Sequence, residues 1–372
     1  MADKTAKPRA KVVVVQEYCT HAAGSDCLRC THICPHDAID LPELPGVPHV
    51  DIDRCNGCGV CFGICDTFAS THLTMADLHA RIRRIATSGR RAYLTCRENI
   101  FPELNIDTNV VVLPCLSMVP PELWTLLLAE NIRVSVACDL KYCEDCQRAG
   151  DIGGTLFPRA IEMAEERTGG SVKFSYRIPE KQKLIDKYAK STQATDRRGA
   201  FTDLAADFGE IASGKRRLRN SQVLADYYAK KERQRAIARL NLVDEEAFPT
   251  LTPEDFIRHL MMPRRKMLLE AISRQEDIAD NIEIALSVTD TTLCRGSGEC
   301  VRLCPTGARR FAQDDSDSSS DGTGNADGDG TPVVDATLCI GCGICVDSCP
   351  EAAVSLVPVT GRVWLEGIEQ SD

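Results

Sequence analysis

The stretch CIGCGICVDSCP, residues 339–350, sets four cysteines and a proline in the order C-x2-C-x2-C-x3-C-P. Three further arrays built on this plan occur at residues 19–35, 55–65 and 294–305. The arrays form two pairs, one toward each end of the chain. Thiols at short, repeated spacings are suited to holding a shared inorganic group, whose binding then contributes to folding. We therefore expect metal-thiolate bonds to organise both ends of this protein.

The composition argues against a disulfide scaffold. Twenty cysteines could form disulfide bridges, but that use is typical of short secreted chains with a signal peptide. Residues 1–11 are polar, and the apolar run Val12–Val15 that follows is far shorter than a membrane span. We expect a cytoplasmic protein with no membrane insertion, whose reduced thiols are available as metal ligands.

Length and charge narrow the class of protein further. With 372 residues and 43% hydrophobic residues, the chain can fill two or three modest cores. Aromatic residues make up only 5%, which suits small domains that gain folding energy from thiolate-metal bonds. The net charge of -10 argues against general nucleic-acid binding.

The regular arrays resemble those of bacterial two-cluster ferredoxins, in which three thiolates hold one cluster and the fourth holds its neighbour. For the N-terminal pair, the resemblance implies two 4Fe-4S clusters with four thiolates each. One cluster would be held by Cys19, Cys27, Cys30 and Cys65, and the other by Cys34, Cys55, Cys58 and Cys61.

The N-terminal pair departs from the ferredoxin pattern in two places. Seven residues, Thr20 to Asp26, stand where the template has two, and Asp66 replaces the usual proline after Cys65. Neither change removes a ligand. Zinc, which also uses sites of four cysteines, is the alternative, but tandem arrays with this spacing favour iron and sulfide.

The C-terminal pair repeats the two-array plan but lacks one cysteine. Three thiolates remain for the incomplete cluster, and Ser297 stands at the position of the missing ligand. The complete set is Cys304, Cys339, Cys342 and Cys345, and the incomplete set is Cys294, Cys300 and Cys349. The loss resembles that of seven-iron ferredoxins, which implies a 3Fe-4S cluster. The alternatives are a 4Fe-4S cluster held by Ser297 or by water, or an array without a cluster.

Between the ferredoxin-like ends, helical and strand patterns alternate, which favours a small parallel sheet. Strands are predicted over 91–95, 110–114, 133–137 and 172–177, and helices over 75–88, 121–130 and 155–168. Cys96, Cys115 and Cys138 each follow a predicted strand. Because parallel strands end at one edge of a sheet, these thiols should converge there. Cys143 and Cys146 follow in the next loop.

The segment from Tyr93 to Cys146 is similar to the cysteine-rich delta subunit of hydrogenase and heterodisulfide reductase complexes. That resemblance implies a 2Fe-2S cluster, and the spacing from Cys138 to Cys146 is that of plant-type centres. Which four of the five cysteines would bind stays open. A zinc site and plain buried or redox-active thiols are the alternatives.

The stretch 177–274 contains no cysteine and carries 21 Lys and Arg against 14 Asp and Glu. A solvated helix face explains such charge most simply, and docking of an acidic partner subunit is the functional alternative. No helicase, glycosylase or nuclease motif accompanies it, so we expect no nucleic-acid partner. Residues 314–332 are acidic and rich in serine and glycine, which predicts a disordered loop.

Together these patterns predict an α+β multi-domain chain, with two ferredoxin-like dicluster modules flanking a small parallel α/β domain and a helical insert. The predicted boundaries are 1–74, 75–178, 179–284 and 285–372. No nucleotide-binding or catalytic motif is evident, so we assign no catalytic residue.

We expect an electron-transfer subunit of an anaerobic oxidoreductase, relaying single electrons along the N-terminal pair, the middle cluster and the C-terminal pair. The partner would be a hydrogenase, a formate dehydrogenase or other molybdopterin enzyme, or a heterodisulfide-reductase-like module. An iron-sulfur enzyme acting through the open corner or the middle thiols, or a cluster-delivery factor, is the alternative.

Overall fold

The computed structural model describes residues 12–70, 73–101, 104–144, 146–181, 263–311 and 330–369. Most of the predicted helical insert 179–284 and of the acidic loop 314–332 lies outside the described residues. All twenty cysteines lie inside them, and each is a free thiol. Over these parts of the chain, no helix combines the length and the apolar character needed to cross a membrane.

The N-terminal unit consists of two short antiparallel strand pairs and two short helices that carry ligand cysteines. Strand β1 (Val12–Val14) pairs with β4 (Phe68–Ser70), and β2 (Ile39–Asp40) pairs with β3 (His49–Val50). Helix α1 (Arg29–Ile33) contains Cys30, and α2 (Val60–Ile64) contains Cys61. The first and last strands therefore close the unit around the two cysteine arrays.

The middle unit is a four-stranded parallel sheet. Its strands are β5 (Ala92–Cys96), β6 (Val110–Leu113), β7 (Val134–Ala137) and β8 (Lys173–Ser175), in the order β6-β5-β7-β8. Its helices are α3 (Met75–Thr87), α4 (Pro121–Ala129), α5 (Lys141–Glu144) and α6 (Gly150–Thr168). Thr74 and Asp77 form a reciprocal capping box that fixes the start of α3.

Helix α6 begins at Gly150, earlier than the predicted start at Thr155. The sequence suggests a later start because Gly153 and Gly154 are poor helix formers. Their place in the first turn is explained by close packing: a Cβ added to Gly153 would lie 3.1 Å from Cys115 Sγ. A larger side chain there would push against a thiol.

The C-terminal unit repeats the plan of the N-terminal one. Helix α7 (Arg264–Arg274) precedes β9 (Glu283–Thr289), which pairs antiparallel with β12 (Val354–Thr360). The inner strand pair and the two short helices follow the same order as before. They are α8 (Glu299–Arg302), β10 (Arg309–Phe311), β11 (Pro332–Val334) and α9 (Ile344–Asp347), and helix α10 (Arg362–Glu369) ends the described chain.

One hydrophobic core joins these units. It extends from Phe62 in the N-terminal unit through Trp124 in α4 to Trp364 in α10. Both tryptophans are fully buried, and truncating such a side chain to alanine typically costs roughly 3–5 kcal/mol. The iron-sulfur candidates at the two ends of the chain are therefore held against a common packed interior.

Candidate iron-sulfur centres

Two small cavities are each lined by four cysteines. The first is lined by Cys34, Cys55, Cys58 and Cys61. The second is lined by Cys304, Cys339, Cys342 and Cys345. In each cavity one thiol comes from the distant array of its pair. These are the two groupings that the crossed ferredoxin pattern implies.

A third set meets around Cys30. Burial and the neighbouring thiols of Cys65, Cys27 and Cys19 together raise the pKa of the Cys30 thiol to about 11. This is the other predicted N-terminal grouping. Ionised sulfurs so close together repel one another, and iron would remove that repulsion by supplying positive charge.

The backbone around these thiols supplies hydrogen-bond donors. The amide of Ala38 lies 3.3 Å from Cys34 Sγ, that of Ala353 lies 3.3 Å from Cys349 Sγ, and that of Ala22 lies 3.4 Å from Cys19 Sγ. Amide donors of this kind stabilise thiolates and tune cluster potentials. The donor set therefore fits iron-sulfur clusters at these positions.

Glycine permits the tight turns of the arrays. Gly341, between Cys339 and Cys342, has a φ of 63°, and a Cβ there would lie 2.6 Å from the carbonyl oxygen of Ala285. That separation is far below van der Waals contact. Only glycine fits where this array passes so close to strand β9.

The described residues contain no compact set of three or more His, Cys, Asp or Glu side chains placed to hold a single metal ion. The cysteines instead line the cavities named above. Their ligation to iron stays a prediction from the sequence, now accompanied by the matching geometry.

The middle sheet brings its thiols to one edge. Strands β5, β6 and β7 run parallel. Cys96 ends β5, Cys138 follows β7 directly, and Cys115 lies two residues beyond β6. Cys143 packs beside Gly154 of α6, and Cys146 Sγ accepts the amide of Arg148 at 3.4 Å. All five cysteines thus lie around the start of α6.

Asn99 is a buried side chain that the sequence analysis missed. Its Nδ2 donates to Cys96 Sγ at 2.9 Å and to Cys138 Sγ at 3.2 Å, while its Oδ1 accepts the amide of Asp139 at 3.2 Å. One amide group therefore ties two of the converging thiols together. A lone asparagine after a strand carries no sequence signal for such a role.

These contacts lower the pKa of one middle thiol and raise the pKa of another. Hydrogen bonds from the Cys138 thiol and from Asn99 together lower the pKa of Cys96 to about 6. Contact with Cys143 and Cys96 raises the pKa of Cys138 well above its usual range. Burial raises the pKa of Cys115 to about 11. Cys96 is therefore the middle thiol best prepared to bind metal as a thiolate.

We expect the metal-free protein to lose stability as the pH rises from about 9 to about 11. Cys30 and Cys115 have folded-state pKa values near 11, whereas an exposed thiol has its ordinary value of 9.0. Above pH 9 the unfolded chain therefore releases protons that the folded chain retains, and each thiol costs about 2–3 kcal/mol across this window.

Urea denaturation of the metal-free protein at several pH values measures this loss. A Cys30→Ser variant, whose hydroxyl stays neutral, should lose correspondingly less stability. A free energy of unfolding that stays constant from pH 8 to 11 would contradict the expectation.

The middle unit contacts the N-terminal unit beside two candidate centres. Asn56 Nδ2 donates to the carbonyl oxygen of Arg148 at 2.9 Å, and His36 Nε2 lies 3.0 Å from the same oxygen. Asn56 follows a predicted ligand, Cys55. Buried Cys58 and Cys115 also belong to one hydrophobic cluster. The cavity of Cys34, Cys55, Cys58 and Cys61 therefore adjoins the thiols of the middle sheet.

Two consecutive arginines connect the N-terminal and C-terminal units. The backbone amide of Arg264 donates to Asp66 Oδ1 at 3.1 Å, next to Cys65. The Arg265 side chain donates to the carbonyl oxygens of Ala336 and Thr337, both at 3.0 Å, and its charge acts on nearby Cys339. The start of α7 therefore contacts residues close to a predicted ligand in each unit, Asp66 beside Cys65 and Thr337 near Cys339.

The incomplete array has an acidic neighbour. Ser297 Oγ donates to Glu351 Oε2 at 3.1 Å, and Cys349 Sγ lies 3.8 Å from the same oxygen. The guanidinium of Arg309 lies 3.7 Å from Cys300 Sγ. A carboxylate thus lies beside Ser297, the residue that stands where the ferredoxin pattern has a cysteine.

Comparison with known families identifies the C-terminal unit. Residues 293–353 match the family described as a 4Fe-4S dicluster domain. No curated protein matches the chain. The match covers both C-terminal arrays, including Ser297, and leaves the N-terminal and middle units unassigned. The chain therefore contains a ferredoxin-like 4Fe-4S dicluster domain and has an iron-sulfur electron-transfer role in general terms.

Proposed function

We propose that this protein is a polyferredoxin-like electron-transfer subunit that relays single electrons within a cytoplasmic, anaerobic oxidoreductase complex. The observation that carries the proposal is that the middle and N-terminal cysteine sets adjoin, and that Arg264 and Arg265 link the surroundings of the N-terminal sets to those of a C-terminal one. Protein groups fix the positions of such clusters and tune their potentials, while the clusters supply the redox chemistry.

The contacts support a linear order that differs from the sequence-based one. The middle thiols adjoin the set Cys34, Cys55, Cys58 and Cys61 through Asn56 and Arg148. The second N-terminal set includes Cys65, and the paired residues Arg264 and Arg265 link its surroundings to those of Cys339. The N-terminal pair therefore lies between the middle centre and the C-terminal pair, and the cluster beside Ser297 forms the far end.

Each end of this order suggests a place for a partner. The middle centre would exchange electrons at one end and the Ser297 cluster at the other. Phe101 and Tyr142 are exposed beside the middle thiols and stack edge to face with their ring centroids 5.9 Å apart. A hydrogenase, a molybdopterin enzyme such as formate dehydrogenase, or a heterodisulfide-reductase-like module remains the proposed class of partner.

An anaerobic redox titration tests the relay. The reconstituted protein should take up about five electrons, one for each cluster, and return them to a viologen acceptor over repeated cycles without losing iron. A Cys138→Ala variant should take up about one electron fewer. Colourless or chiefly zinc-bound protein would overturn the proposal, and transfer of whole clusters to a metal-free acceptor would assign a delivery role instead.

A further inference from the structure

Each array ends in a cysteine. The residue two positions after that cysteine can be compared between the two ferredoxin-like units. After Cys65 this residue is Thr67, whose Oγ1 lies 3.2 Å from Cys65 Sγ. After Cys304 it is Thr306, whose Oγ1 lies 3.7 Å from the sulfur, and after Cys34 it is His36. After Cys349, the counterpart of Cys65, it is Glu351. The hydroxyl of Thr67 is thus replaced by a carboxylate at the equivalent C-terminal position.

That replacement coincides with the loss of a thiol at the same cluster. In the N-terminal unit, Cys27 and Thr67 belong to the set completed by Cys65. The equivalent positions in the C-terminal unit are Ser297 and Glu351. Ser297 replaces the thiol of Cys27, and Glu351 replaces the hydroxyl of Thr67. The two C-terminal side chains form a hydrogen bond of 3.1 Å.

The carboxylate and the Cys349 thiolate repel each other, and a cation bound between them would offset that repulsion. The other groups described at the sulfurs of this cluster are donors: the amide of Ala353 for Cys349 and the guanidinium of Arg309 for Cys300. A carboxylate 3.8 Å from Cys349 Sγ repels the thiolate that forms when iron binds. An iron ion at this corner would turn that repulsion into attraction for both anions.

We propose that the Glu351 carboxylate is the fourth iron ligand of the cluster held by Cys294, Cys300 and Cys349, so that this site holds a 4Fe-4S cluster. Ser297 is a positioning residue: its hydroxyl donates to the carboxylate and holds it at the open corner. A carboxylate is anionic at neutral pH and binds iron directly, whereas a serine hydroxyl must first lose its proton. The inference rests on the proposed iron-sulfur function of this unit.

The test compares variants of the full-length chain after anaerobic reconstitution. Glu351→Thr recreates the N-terminal residue Thr67, and Glu351→Gln keeps the shape but removes the charge. Both should lose about one iron per chain and gain the EPR signal of an oxidised 3Fe-4S cluster. Ser297→Ala should retain this iron under anaerobic conditions and lose it faster than wild type on mild oxidation. The double variant Ser297→Cys with Glu351→Thr should restore the iron and abolish the signal.

Three outcomes would overturn the assignment. Wild-type protein could show the full 3Fe-4S signal, about one spin per chain, unchanged by Glu351→Thr. Glu351→Thr could retain its iron. Ser297→Ala alone could release the iron under anaerobic conditions, which would make the serine the ligand. In each case the remaining clusters stay in place, so the result would be distinct from failure of the proposed function, in which no iron-sulfur clusters form.

Discussion

Replacing Arg264 with methionine is expected to lower the free energy of unfolding by about 3–5 kcal/mol, because the change leaves a buried carboxylate without its partner. Arg264 Nε and the second guanidinium nitrogen donate to Glu122 at 2.8 and 2.9 Å. The Glu122 side chain is only 8% exposed. Burial raises the pKa of nearby Asp66 to about 6, and Arg264 opposes that rise. Its loss would thus leave two poorly solvated acids.

Denaturation of the cluster-loaded protein under anaerobic conditions, followed by helical circular dichroism, measures the effect. Arg159→Met is the matched control, because Arg159 pairs with Glu162 on α6 but both side chains are more than half exposed. It should cost less than about 1 kcal/mol. Combining Arg264→Met with Glu122→Leu should recover much of the loss, since the carboxylate that paired with the guanidinium is then removed too, while Asp66 keeps its hydrogen bond from the backbone amide of residue 264. Equal effects of Arg264→Met and Arg159→Met would refute the explanation.

Removing Cys34 is expected to abolish a cluster whose other three ligands lie in the following array. Cys34 lines one cavity with Cys55, Cys58 and Cys61, although it is closer in sequence to Cys30. Cys34→Ala should therefore lose up to about four irons, leaving the other sites loaded. Double variants reveal which thiols share a cluster, because the iron losses of two single variants add only when the two thiols belong to different clusters.

Two double variants carry this test. Cys34→Ala with Cys58→Ala should lose no more than one cluster, about four irons, since both thiols serve the same site. Cys34→Ala with Cys27→Ala should lose two clusters, about eight irons. Iron and sulfide analysis with EPR of the reduced protein provides the count. The reverse pattern would mean that each array holds its own cluster without crossing.

Local sequence patterns were sufficient for much of the architecture. Alternating helices and strands predicted the parallel sheet, which the structure contains, and thereby placed Cys96, Cys115 and Cys138 at one edge. The array spacing predicted the sets that line the two cavities. The sheet was predictable because alternating helices and strands favour parallel pairing, whereas iron binding by the two cysteine sets stays a prediction.

Single polar residues at long range were not predictable. Asn99 donates to Cys96 and also to Cys138, which lies 39 residues after Asn99 in the chain. Arg264 donates to Glu122, which lies 142 residues before it. Neither residue belongs to a periodic pattern or a motif. The start of α6 at Gly150 was also missed, since helix propensity disfavours glycines that the structure uses for close packing against thiols.

The sequence by itself determined which thiols are available as ligands, how they are spaced, and where a serine stands in place of one. Only the tertiary structure placed Arg148 of the middle unit against Asn56, Arg264 against Asp66, and Glu351 beside Ser297. The physical reason is that the number of residues between neighbouring cysteines limits how far apart their thiols can lie, and so limits which metal group one array can bind. Contact between arrays depends on a shared packed core formed by residues far apart in the chain.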